Sequence, residues 1–201
     1  AFASGVHSPA QAQSVLAAHD DEEWHHDREP PYTGAGWLAS QGGSPPVTFP
    51  SSGVELRSWI PVGEFDASAT SANDIWGYVS PSGREYALIG LSLGTGIVEV
   101  TDPANAQVIE VISGPSSGWR DIKTFGEYAY AVSEGGGGIQ VIDLGQVDSG
   151  IVTLANTVTT GGRLQTHDVA LNTQSARLYR AGGGGSNPVQ GLRIYSLADP
   201  T

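Results

Sequence analysis

An aspartate followed by a branched aliphatic residue recurs at Asp74-Ile75, Asp121-Ile122 and Asp168-Val169, at a constant spacing of 47 residues. Each pair opens a β-type run, and each is followed by a turn and a second run: EYALIG from Glu85, EYAYAVSE from Glu127 and ARLYRAGG from Ala176. A glycine-rich connection then leads to a third run, GIVEVTDP from Gly96, GIQVIDL from Gly138 and GLRIYSLADP from Gly191. The first two units add a fourth, QVIEVI from Gln107 and IVTLANTV from Ile151. Four short strands in a unit of this length define a β-propeller blade, a sheet that needs neighbours to bury its faces.

The frame predicts an all-β chain of about three blades of four antiparallel strands, beginning near residues 73, 120 and 167. The segment VELRSWIPV at 54–62 reads as an orphan fourth strand, and the third unit reaches Thr201 where its own fourth strand is due. Propellers close with roughly four to eight blades. The expectation is therefore part of a larger ring: an N-terminal portion of a longer chain, or a ring completed by association of copies through unpaired blade edges.

Composition agrees with the repeat and removes whole classes of function. Glycine and proline number 28 and 12, and only 15% of residues are charged, which excludes coiled coils and long-helix bundles. With no cysteine there is no disulfide scaffold, thiolate metal site or cysteine nucleophile. The net charge is −12, and the nine basic residues are scattered, so nucleic-acid binding through phosphate neutralisation is not expected. No apolar run reaches the roughly 18 residues of a membrane helix. The start at Ala1-Phe2-Ala3-Ser4, with neither a basic nor an apolar leader region, reads as an exported chain from which a signal peptide has been removed.

Residues 1–50 differ from the rest. HDDEEWHHDRE at 19–29 is followed by a Pro/Gly/Ser-rich stretch, which predicts an acidic leader or strap with a short helix over 9–23, ahead of a propeller region at 51–201. Trp24, Tyr32 and Trp37 favour a strap laid over a larger body, since free linkers do not bury aromatics.

The candidate chemistry is sparse. Asp74, Asp121 and Asp168 sit at equivalent positions of the channel-lining strand, and together with His167 they could surround a cation, with calcium the expected one given its preference for six to eight oxygen ligands. The plainer role, and the favoured one, has each carboxylate accepting backbone N–H groups of a neighbouring turn and so fixing blade geometry. In the leader, His25 and His26 are the candidate ligands for zinc, copper or nickel, but the cluster lacks the spacing of an established metal motif. His167 has no partner nucleophile at a recognisable spacing and no G-x-S-x-G elbow occurs, so no catalytic residue is assigned. The clusters Gly135–Gly138 and Gly182–Gly185 lack the Lys-Ser/Thr ending of a phosphate loop and read as strand connections. Trp76 and Trp119 read as packing residues between blades in preference to a stacking platform for a sugar or peptide.

NDIWGY from Asn73, the run from Arg84 to Lys123 containing SSGWRDIK, and EYAYAVSEGGGGIQVIDL from Glu127 together resemble the choice-of-anchor B family of bacterial surface propellers built on LVIVD repeats. The likeness covers residues 54–201 and leaves the first 50 uncovered. It implies a propeller fold and a secreted or cell-surface location, and it supplies no catalytic residues. The expected function is non-catalytic: binding of a protein or glycan surface partner, or extracellular assembly. The alternative is a calcium-dependent enzyme or ligand-binding propeller using the channel mouth.

Overall fold

The computed structural model describes residues 34–45, 52–160, 164–183 and 191–199. The expected helix over 9–23, Trp24, Tyr32, and the candidate ligands His25 and His26 lie outside the described residues, as do Gly184 and Gly185. From Gly34 onward the chain forms one structural unit.

It is all-β, in antiparallel sheets that do not close on themselves. The first sheet is a meander of β3 (Ala72–Val79), β4 (Glu85–Leu91), β5 (Gly94–Glu99) and β6 (Gln107–Ser113) in sequential order. The second repeats it with β7 (Arg120–Phe125), β8 (Tyr128–Ser133), β9 (Ile139–Gln146) and β10 (Ile151–Val158). The third holds β11 (Asp168–Asn172), β12 (Arg177–Ala181) and β13 (Arg193–Ser196). These strands fall on the runs that the repeat predicts. The reason is local: alternating aromatic and branched residues, as in YAYAVS of β8, suit a pleated surface, and the connections carry turn chemistry. At the β7–β8 hairpin Gly126 adopts φ 58°, the left-handed geometry that a two-residue reversal requires.

The segment around 54–62 departs from expectation. Only Ser58–Trp59 (β2) forms a strand, and it pairs with Trp37–Leu38 (β1), Trp37 opposite Trp59. Pro61 precedes a single helical turn, Val62–Phe65 (α1). Proline cannot donate to a ladder, and its fixed φ suits the residue before a helix, so the long orphan strand is cut short there. The pairing brings Trp37 and Leu38, from within the first 50 residues, onto Trp59 and Ser58.

Each sheet has two faces, and the core is built from one face of each sheet against the opposite face of the next. Tyr86, Leu88 and Ile97 of the first sheet pack on Ile122, Ala129, Ala131, Ile142 and Leu144 of the second. Tyr130, Val132, Ile139 and Val141, on the other face of the second sheet, pack on Val169 and Leu178 of the third. Leu88 and Ile97 are fully buried, so truncating either to alanine costs about 2–5 kcal/mol. The faces we call forward (Tyr86, Leu88, Ile97) and back (Ile122, Ala129, Ile142) alternate along each strand, as the period of two demands.

The glycine clusters are structural. Gly136, Gly137 and Gly138 all have positive φ, and a Cβ on Gly138 would meet the carbonyl oxygen of Val158 at 2.2 Å. Only glycine lets β9 begin so close to the end of β10.

Candidate functional site

The residues with the most chemistry gather where first strands of neighbouring sheets meet. β7 is an edge strand, so alternate N–H groups point away from its ladder with β8 and need acceptors. The preceding sheet supplies them. Asp74 Oδ2 accepts from the Ile122 N–H at 2.7 Å, and Asn73 Oδ1 from the Arg120 N–H at 3.2 Å. One unit on, Asp121 Oδ2 accepts from the Val169 N–H at 2.6 Å. Asn73 and Asp74 lie at a register irregularity in β3, a bulge that turns both side chains toward β7. Two of the three repeated aspartates thus perform the backbone-capping role. Asp168, their equivalent in the third sheet, is exposed, and among the described residues no N–H donates to it.

A cation does stand between Asp74 and Asp121, but it belongs to the protein. The ammonium of Lys123 pairs with Asp121 Oδ1, lies 3.9 Å from Asp74 Oδ2, donates to the Ile122 carbonyl at 2.9 Å, and sits 4.5 Å from the centre of the Trp76 ring. An ammonium over an indole face is attractive in its own right. The indole is fixed in turn, its Nε1 donating to Thr124 Oγ1 at 3.0 Å. Burial pushes the Asp74 carboxyl above the usual range and the nearby Asp121 pushes the same way, opposed by the Ile122 N–H and by Lys123. Among the described residues no three His, Asp or Glu side chains are grouped so as to hold a metal ion. The cation between Asp74 and Asp121 is thus Lys123, the only lysine in the chain.

His167 is also drawn into sheet packing. Its ring stacks on Trp119 at 4.3 Å between centroids and 6° between planes, and its carbonyl accepts from Trp119 Nε1 at 2.8 Å. Its Nδ1 lies 2.7 Å from Glu134 Oε1, so the connection after β8 and the start of β11 are joined through one imidazole. Each of these two tryptophans therefore binds the next sheet, Trp76 through Thr124 and Trp119 through His167.

Several residues were not anticipated from sequence. Arg120 is 1% exposed, and its guanidinium donates to the Leu91 carbonyl, the Pro115 carbonyl and Gln140 Oε1 at 3.2, 2.7 and 3.3 Å. All three acceptors are neutral, and burial lowers its pKa. At the opposite end of the strands, Asp148 binds across to the first sheet, accepting from Tyr86 OH at 2.7 Å and Ser80 Oγ at 3.1 Å. The tyrosine hydrogen bond is the main cause holding the Asp148 carboxyl below its ordinary range. Lys123 carried a readable signal, a lone lysine two residues after a repeated aspartate; Arg120 and Asp148 carried none.

A groove of about 1050 Å³ lies between the strap and the back face of the first sheet, lined by Trp37, Leu56, Phe65, Ile75, Ile89 and Val98 among others. Its lining is mostly apolar, with the exposed Arg57–Glu55 ion pair at 3.0 Å as its charged part, so it suits packing better than chemistry. No helix among the described residues is long and apolar enough to cross a membrane.

Comparison of the chain with models of known families, with curated proteins and with solved structures finds no match.

Proposed function

We propose that the chain is a sector of a β-propeller in an exported bacterial surface or extracellular protein that works by binding a macromolecular partner or by assembly, without catalysis. The observation carrying this reading is the repeated aspartate–amide link between first strands. Because Asp74 reaches β7 and Asp121 reaches β11 in the same way, successive sheets are related by one repeated operation about the line of first strands. The tryptophans follow the same logic, Trp76 donating to Thr124 and Trp119 to the His167 carbonyl of the next sheet. The resemblance to choice-of-anchor B propellers supports the surface location, and the net charge of −12 suits solubility outside the cell.

Determination of an experimental structure tests the fold reading: the first strands should surround a channel, and a straight stack of sheets contradicts it. Localisation is checked by protease shaving of intact cells of the producing bacterium, where loss of the protein without lysis is expected. Retention in the cytoplasmic fraction alone overturns the exported reading.

A further inference from the structure

Lysine occurs once in this chain, and the fold sets its amine between two carboxylates of neighbouring sheets. Asp121 and the Ile122 carbonyl each accept from Lys123 Nζ, which steadies the nitrogen 3.9 Å from Asp74 Oδ2. The ring of Trp76 lies against it, 4.5 Å away at its centre. The side chains of Asp74, Lys123 and Asp121 are 27, 20 and 10% exposed, so the three reactive groups meet mostly out of water. The Asp74 carboxyl is itself polarised: Oδ2 accepts the Ile122 N–H at 2.7 Å, and in its acid form the group donates to Asp121.

A single ion pair calls for one carboxylate against one amine. Here a second carboxylate crowds the first, and burial together with Asp121 pushes the Asp74 carboxyl toward its neutral acid. The parts assembled are those that acyl transfer uses. The Asp74 carboxyl is the electrophile, the Ile122 N–H stabilises negative charge on its oxygen, Lys123 is the nucleophile, and Asp121 is a carboxylate placed to move the protons of the amine.

We propose that Lys123 and Asp74 condense within the folded chain to an amide that joins the first sheet covalently to the second. The Nζ lone pair forms the bond to Asp74 Cγ, and the Cγ–Oδ1 bonding pair leaves with that oxygen. The ammonium gives up two protons through Asp121, and both end on the departing oxygen as water. Oδ2 remains as the amide carbonyl and keeps the Ile122 N–H. Atoms and charge balance with no co-reactant. Condensation is unfavourable between free partners in water, but groups held in register reach effective concentrations of about 10⁵–10⁸ M. With Asp121 as acyl donor instead, the carboxyl left to move protons would be the one 3.9 Å away, and the product would tie residues only two apart on β7. The ionic contacts of Lys123 are those of the open pair. The closed bond gives a chain without cysteine what a disulfide gives others, a covalent tie between distant segments, with no dependence on redox conditions. It holds whether or not the sheets belong to a ring.

The test is the intact mass of the full chain, kept folded and followed by mass spectrometry until it no longer changes. A product one water lighter than the 20.8 kDa sequence is expected, and its digest should hold a branched peptide joining Asp74 to Lys123. Lys123→Arg keeps the positive charge but replaces the amine by a delocalised guanidinium, so it should retain the full mass. Asp121→Asn should slow closure about 100-fold. Circular dichroism checks that both variants keep their sheets. A wild-type chain that retains its full mass overturns the proposal, whatever the variants do. Water loss that persists in Lys123→Arg overturns it too, as does a branched peptide between any other pair. Closure of folded Asp121→Asn at the wild-type rate overturns the part given to Asp121.

Discussion

The carboxylate of Asp121 accepts a hydrogen bond from the main-chain N–H of Val169, 2.6 Å away and in the next sheet, while its other oxygen pairs with Lys123. One side chain therefore satisfies an edge strand and anchors the ammonium between two sheets. Asp121→Ala leaves a buried amide without an acceptor and Lys123 with a single, more distant carboxylate. The expected loss is about 2–4 kcal/mol, combining an unsatisfied buried group with a weakened partly buried pair. Urea unfolding measures it, and a loss below about 0.5 kcal/mol would contradict the linking role.

Removing the ammonium should expose the repulsion that it now offsets. In Lys123→Met, Asp74 and Asp121 face each other with no intervening cation, so stability falls at neutral pH. Burial and Asp121 already raise the Asp74 pKa. A raised carboxyl favours the folded state while protonated, and that contribution fades as pH rises through the folded value. The deficit of Lys123→Met should therefore shrink as pH falls toward about 4, the ordinary aspartate range, above which the raised Asp74 carboxyl already begins to take up its proton. Thermal melts from pH 4 to 8 read this directly; a deficit independent of pH would assign the role of Lys123 to packing alone.

Arg120 is held by three neutral acceptors in a nearly dry environment. Arg120→Ala strands the Leu91 and Pro115 carbonyls and opens a cavity, so a loss of about 3–5 kcal/mol is expected. Arg120→Lys should recover little, because one ammonium cannot span acceptors matched to a planar fork. Full recovery by lysine in denaturant titration would show that charge, not geometry, is what the site needs.

The Tyr130 hydroxyl is buried with no hydrogen-bond partner among the described residues, and burial pushes its pKa up to about 12. Tyr130→Phe should be neutral or stabilising by up to about 1 kcal/mol, since an unpaired polar group leaves the core. The sign with pH follows from the raised value. The neutral phenol favours folding fully below about 10, the ordinary tyrosine value, and this contribution is lost as pH rises toward about 12. Tyrosine absorbance at alkaline pH should show Tyr130 ionising only as the protein unfolds. Ionisation near 10 in the folded state would rule this out.

Much of the architecture was legible in the chain itself. The 47-residue recurrence of Asp74, Asp121 and Asp168, the alternating runs and the glycine connections determined which residues form strands and how they group into sheets, because strand and turn chemistry is local. The backbone-capping role of the aspartates was readable too, since a residue kept at one point of a repeat serves the contact that the repeat makes. What tertiary structure alone decided was the partner at each polar position. Lys123 pairs with Asp74 and Asp121 because β7 projects it between them and over Trp76. His167 is absorbed by Trp119 and Glu134, which lie 48 and 33 residues away. Residues 54–62 shorten to a two-residue strand because Trp59 finds Trp37 and Pro61 ends the ladder. Local sequence cannot specify such pairings: they depend on which sheet faces which, and that is settled only when apolar faces are buried against one another.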